Sequence, residues 1–208
     1  MTFGSELQEI QDVSNTEFDE GFPDFLKRNE AREFAPSMEV QAAEICDVFN
    51  EIPELKYEEW RELSIEDRAD VLREFENKIA EIEMRNPMIV DHKELSDGVM
   101  GYYNSDGIMI SDVLLGDNSY DAYRETLDTL FHEGRHAYQF YNLEVERTEA
   151  SDELYNSWNV NENYLGYNSG DAYAGTEYEI FGYWEYYTQP VEVDARVFAE
   201  TVINKLGI

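Results

Sequence analysis

Residues 126–142 read TLDTLFHEGRHAYQFYN and hold two of the chain's three histidines. His132 and His136 stand four apart, with Glu133 directly after the first. The surrounding pattern is helical. Tyr123, Leu127, Phe131, Gly134 and Tyr138 form one stripe, Ser119 is a fitting N-cap, and a helix is predicted over 120–141. A helix turns about 100° per residue, so positions four apart lie about 40° apart on one face. Two imidazoles on successive turns can therefore reach a single point.

Zinc suits that arrangement, because it takes neutral imidazole nitrogens at about 2.0–2.1 Å. Glu133 projects beside such an ion rather than at it. A carboxylate there can take a proton from water and hand it to a leaving amine. The bland alternative is two ordinary histidines on a half-buried helix. Glu133 and His136 also spell the Glu-x-x-His of a di-iron bundle, which needs a second such pair. The one remaining histidine, His92, has Ile89 three residues before it, so that reading fails.

A catalytic zinc takes three protein ligands and keeps one open position. Cys46 is the sole cysteine, which excludes both a disulfide within the chain and a cysteine-rich zinc site. The third ligand is then His92 or a carboxylate. Glu192 is the candidate, in the first turn of a helix predicted within TQPVEVDARVFAETVINKL, with Pro190 at its start and Gly207 past its end. A glutamate at that place also stabilises a helix start by itself, so spacing leaves both roles open.

HEGRHAYQ followed by EVDARVFAE resembles the zincin metallopeptidases, most closely the compact minigluzincin group that includes the ImmA/IrrE-like proteins. In that group the HExxH helix is followed by a helix of pattern E-x-x-A-x-x-F-A, matched here by Glu192, Ala195, Phe198 and Ala199. The resemblance spans residues 88–208 by order of elements. It implies a zincin-like fold, zinc as cofactor, His132, His136 and Glu192 as ligands, and Glu133 as general base. The expected function is zinc-dependent hydrolysis of a peptide bond in a protein or peptide substrate.

Supporting residues are harder to choose. Asp194 either orients an imidazole from behind or is a solvent-facing helix charge. Gln139, one turn past His136, is a second such supporting residue or a core amide. An oxyanion donor is sought among Tyr183, Tyr186 and Tyr187, just before the ligand helix, with Tyr186 chosen. Arg135 is given no catalytic task.

The rest of the chain frames the site. Ser37 caps a helix over 38–50, and Ser64-Ile-Glu-Asp67 opens an amphipathic helix carrying Val71, Leu72, Phe75, Ile79 and Ile82 toward Asn86-Pro87. Residues 88–90 (MIV) read as a strand. Residues 99–111 read as a hairpin turning at Asn104–Gly107, whose edge can bind an extended peptide. The aromatic-rich stretch 143–188 is expected to pack Trp158, Phe181 and Trp184 against the body. The whole is an α+β chain: a helical N-terminal half, a small β-sheet, the histidine helix and a closing C-terminal helix. Residues 1–36 form an acidic lead. Residues 37–208 form a single domain, with a helical part 37–86 and a sheet and metal-site part 87–208.

There are 47 acidic residues against 15 basic, a formal charge of −32. Such a surface repels phosphate backbones, so no direct nucleic-acid binding is expected. It fits plain solubility, adaptation to high salt, or mimicry of nucleic acid. The rival to the hydrolase is therefore an acidic binding protein with a structural metal or none. No apolar run approaches the roughly 20 residues that span a bilayer, so no membrane partner is expected. The N-terminal stretch lacks the marks of a secretory signal, and a cytoplasmic location is expected, with signal-independent export not excluded.

Overall fold

The computed structural model describes residues 33–96, 98–169, 176 and 179–208. Phe34–Ile208 forms one compact unit. Most of the predicted acidic lead lies outside the described residues.

The unit opens with α1 (Met38–Glu51), a 3-10 turn (Pro53–Leu55) and the short α2 (Tyr57–Trp60). Helix α3 (Ile65–Glu83) begins where the Ser64 hydroxyl accepts the Asp67 N–H, as its capping sequence predicts. It ends at Met84, which takes a left-handed φ of 55° and turns the chain out before Asn86-Pro87.

Three strands follow: β1 (Val90–Lys93), β2 (Gly101–Asn104) and β3 (Gly107–Ser111). Their order is β1-β3-β2, with β1 parallel and β2 antiparallel to β3. The predicted hairpin is present. Strand β1 begins at Val90, two residues later than the 88–90 reading has it. The Met88 N–H is taken by the Glu76 carboxylate, so the segment leaving α3 is tied to that helix before it joins the sheet.

After α4 (Asp112–Gly116) comes the long α5 (Tyr120–Glu144), capped by Ser119. Its predicted stripe is buried throughout. The aromatic stretch contains α6 (Asp152–Val160), a π-helical turn (Asn161–Leu165) and α7 (Glu179–Tyr187). Trp158 is fully buried and meets the Tyr138 ring edge-on. Phe181 and Trp184 remain more than half exposed, contrary to the packing expected of them. Helix α8 (Pro190–Leu206) closes the unit and ends at Gly207 in the left-handed conformation.

The main core joins α1, α3, the sheet, α5 and α8 through Ile45, Phe75, Ile108, Leu127, Phe131 and Phe198. Helices α5 and α8 are packed directly together. That contact turns the histidine face of one helix toward the first turn of the other. The described residues are mixed α/β and mostly helical, and none of their helices is long and apolar enough to cross a membrane.

Candidate metal centre

Helix α5 places His132 and His136 side by side, with Nε2 atoms 3.1 Å apart. Glu192, at the third position of α8, faces both. Its Oε1 lies 3.3 Å from His136 Nε2 and its Oε2 3.4 Å from His132 Nε2. Gln189 makes no side-chain cap to this helix, and Glu192 is turned toward the histidines instead. Among the described residues, these three form the group of histidine, cysteine and acidic side chains able to hold one ion. His92 is elsewhere, on β1, with Nδ1 2.7 Å from Asp112.

Glu192 is completely buried, and its Oε2 has no hydrogen-bond partner. His132 Nε2 at 3.4 Å and the Arg196 guanidinium at 3.6 Å face that oxygen without bonding to it, and a buried carboxylate oxygen so placed gains from a closer cation. The spacing is of the right order too: one ligand atom from each residue lies within 4.8 Å of the others, and each imidazole has a Glu192 oxygen at 3.3–3.4 Å. Ligands about 2.0–2.1 Å from a tetrahedral ion are about 3.3–3.4 Å from one another. The donor set therefore fits a divalent metal by chemistry and by dimension.

The charges are strongly coupled. Burial favours a neutral Glu192, but the two imidazoles outweigh it and hold the carboxyl well below its usual range. Burial likewise pulls His136 down. Its contact with Glu192, the Glu133 charge and Gln139 outweigh that and push it up to about 9 in the metal-free site. A metal would take the place of the proton these groups now share.

A cleft of about 440 Å³ opens on this centre, lined in part by Glu133, His136, Glu192, Tyr167, Tyr186 and the β2 residue Gly101. Tyr186 is thus beside the site, and burial together with the Glu192 carboxylate raises its hydroxyl. Tyr183 and Tyr187 stack on each other with ring centroids 5.5 Å apart and do not line the cleft. Tyr167 is the residue that sequence reasoning passed over. Its hydroxyl donates to Glu192 Oε1 at 2.8 Å. It sits amid a run of similar tyrosines with no helical register to single it out.

Asp194 is buried rather than solvent-facing, and it does not touch either imidazole. Gln139 stands between them. Its Oε1 lies 2.9 Å from His136 Nδ1, and its Nε2 donates to Asp194 at 2.8 Å. Arg135 is an ion-pair partner, fully buried against Asp194.

No protein-family model matches the chain, and neither a curated protein nor a solved structure matches it.

Proposed function

We propose that the chain is a zincin-like, zinc-dependent metallopeptidase in which His132, His136 and Glu192 hold the ion. The observation carrying this reading is the convergence of His132, His136 and a buried Glu192 whose Oε2 makes no hydrogen bond. Two histidines and a glutamate are a known catalytic zinc set. The same donors also suit ferrous iron. Glu133, which lines the cleft one residue from a ligand, favours hydrolysis.

Zinc bound there supplies a lowered pKa for water and polarisation of the peptide carbonyl. Glu133 takes the proton as the water oxygen bonds to the carbonyl carbon, then delivers it to the amine nitrogen when the C–N bond breaks. The Tyr186 hydroxyl donates to the developing oxyanion. Strand β2 is the open side of the hairpin. The Ser111 N–H bonds the Met100 carbonyl, and antiparallel pairs alternate. Gly101 and Tyr103 therefore turn their backbone groups away from β3, where an extended peptide can add as a further strand.

The test is metal analysis of protein purified without a histidine tag, together with hydrolysis of a quenched-fluorescence peptide library. One zinc per chain is expected, retained in Glu133→Gln while hydrolysis is lost. Substoichiometric metal in every preparation overturns the reading and favours an acidic binding protein.

A further inference from the structure

Behind His136 runs a chain of buried hydrogen bonds that leads away from the cleft. We propose that Arg135, Asp194 and Gln139 form a positioning relay that dictates which ring nitrogen of His136 faces the metal centre. The inference rests on the metal reading above and assigns its supporting residues.

The geometry allows one arrangement. The Gln139 amide nitrogen lies 2.9 Å from the Val191 carbonyl and 2.8 Å from the Asp194 Oδ2. An amide nitrogen has two hydrogens and both are used. Neither partner can donate, because one is a backbone carbonyl and the other a carboxylate paired with Arg135. Turning the amide over would set its oxygen against two acceptors. Gln139 Oε1 is thereby committed to His136 Nδ1, 2.9 Å away. An amide oxygen only accepts, so Nδ1 carries the hydrogen. In the neutral ring the lone pair is then on Nε2, the atom beside Glu192 and His132.

Arg135 anchors the other end. Its Nε donates to Asp194 Oδ2 at 2.8 Å and its second terminal nitrogen to Oδ1 at 3.3 Å. The guanidinium is fully buried among rings, 4.5 Å from the Tyr138 centroid and 4.9 Å from that of Phe198. Its remaining terminal nitrogen donates to Gln41 at 3.2 Å and lies 4.0 Å from Glu83. A planar fork held on every side keeps the Asp194 carboxylate aimed. The relay thus converts a fixed charge in the core into a fixed orientation at the site.

The experiment uses the full chain, stripped of metal with chelator, at pH 10, above the value of about 9 to which His136 is raised. Two-bond proton–nitrogen correlation spectra report the tautomer of each histidine. Native protein is expected to show His136 with hydrogen on Nδ1. Asp194→Asn, which lets the Gln139 amide turn, should give mixed tautomers and zinc affinity about 10–100-fold lower by competition with a chromophoric chelator. Gln139→Met leaves the Arg135–Asp194 pair intact and should do the same, which covers the case where Asp194→Asn fails to fold. Circular dichroism confirms the fold of each variant. Hydrogen on Nε2 in the native protein, or an unchanged tautomer and zinc affinity in folded Gln139→Met, overturns the relay. Native protein that keeps the Nδ1 hydrogen but binds no zinc sinks the metal reading and leaves the relay standing.

Discussion

Glu192 Oε1 accepts the Tyr167 hydroxyl at 2.8 Å and also lies 3.3 Å from His136 Nε2. The other oxygen, Oε2, makes no hydrogen bond and faces His132 at 3.4 Å and the Arg196 guanidinium at 3.6 Å. One carboxylate thus has a hydrogen-bonded side and a side with looser charge contacts only, both inside the protein. That asymmetry suits a metal ligand: one oxygen is held, and the other has no hydrogen bond that an ion would have to displace.

Replacing Glu192 by Gln keeps the volume and removes the charge. Zinc affinity should fall by more than the roughly 10–100-fold that loss of a supporting partner costs. Competition titration against a chelator reads this directly. Undiminished affinity would hand the third position to another residue.

The two cleft tyrosines should separate by their readouts. Tyr186→Phe removes the proposed oxyanion donor, so kcat should drop about 100-fold or more with zinc affinity kept. Tyr167→Phe removes a hydrogen bond to the ligand itself, at about 0.5–1.5 kcal/mol, and should weaken zinc modestly. The opposite pattern would exchange their roles.

Much of this was legible in the chain because helical period carries information about faces. Two imidazoles four apart, a capped start at Ser119 and a stripe through Tyr123 and Phe131 specify α5 and its buried side. Period does not reveal what lies across from a face. Whether Glu192 caps its helix or leaves it for the histidines depends on how α8 packs on α5. The same holds for Arg135 and Asp194, whose charges look like solvated helix positions until the two helices meet. Strand β1 was displaced by two residues for a similar reason. A distant carboxylate, Glu76, holds the Met88 amide. Tyr167 follows a π-helical turn, where no regular period exists to mark it.

Metal-free protein should show a defined pH signature. His136 is raised from 6.5 to about 9, so its contribution to stability is complete below 6.5 and lost as pH climbs through 9. Glu192 is lowered from 4.5, so its contribution exists above 4.5 and is lost as pH falls through its depressed value. Both describe one set of contacts and count once. The urea stability of chelated wild type minus that of His136→Gln should be largest between pH 4.5 and 6.5 and shrink toward 9. Zinc should remove the upper decline, since it binds the deprotonated ring. A difference that stays level up to pH 10 would contradict the coupling.

Gly101 stands where β2 meets both the cleft and α5. A Cβ there would lie 2.6 Å from the Thr129 methyl carbon and 2.7 Å from the Met109 carbonyl oxygen. The methyl belongs to α5 one turn before His132, and the carbonyl is backbone of β3, so neither yields easily. Gly101→Ala must push β2 outward, away from the position where its free edge borders the cleft. Overpacking of this kind costs about 1–3 kcal/mol, which thermal unfolding will register. The proposed ligands sit on α5 and α8, so zinc content should stay at that of the wild type. Peptide turnover should suffer through KM, because the edge proposed to align the substrate has moved while the proposed catalytic groups have not. Unchanged KM in a variant with lowered Tm would mean that peptides reach Glu133 without using this edge.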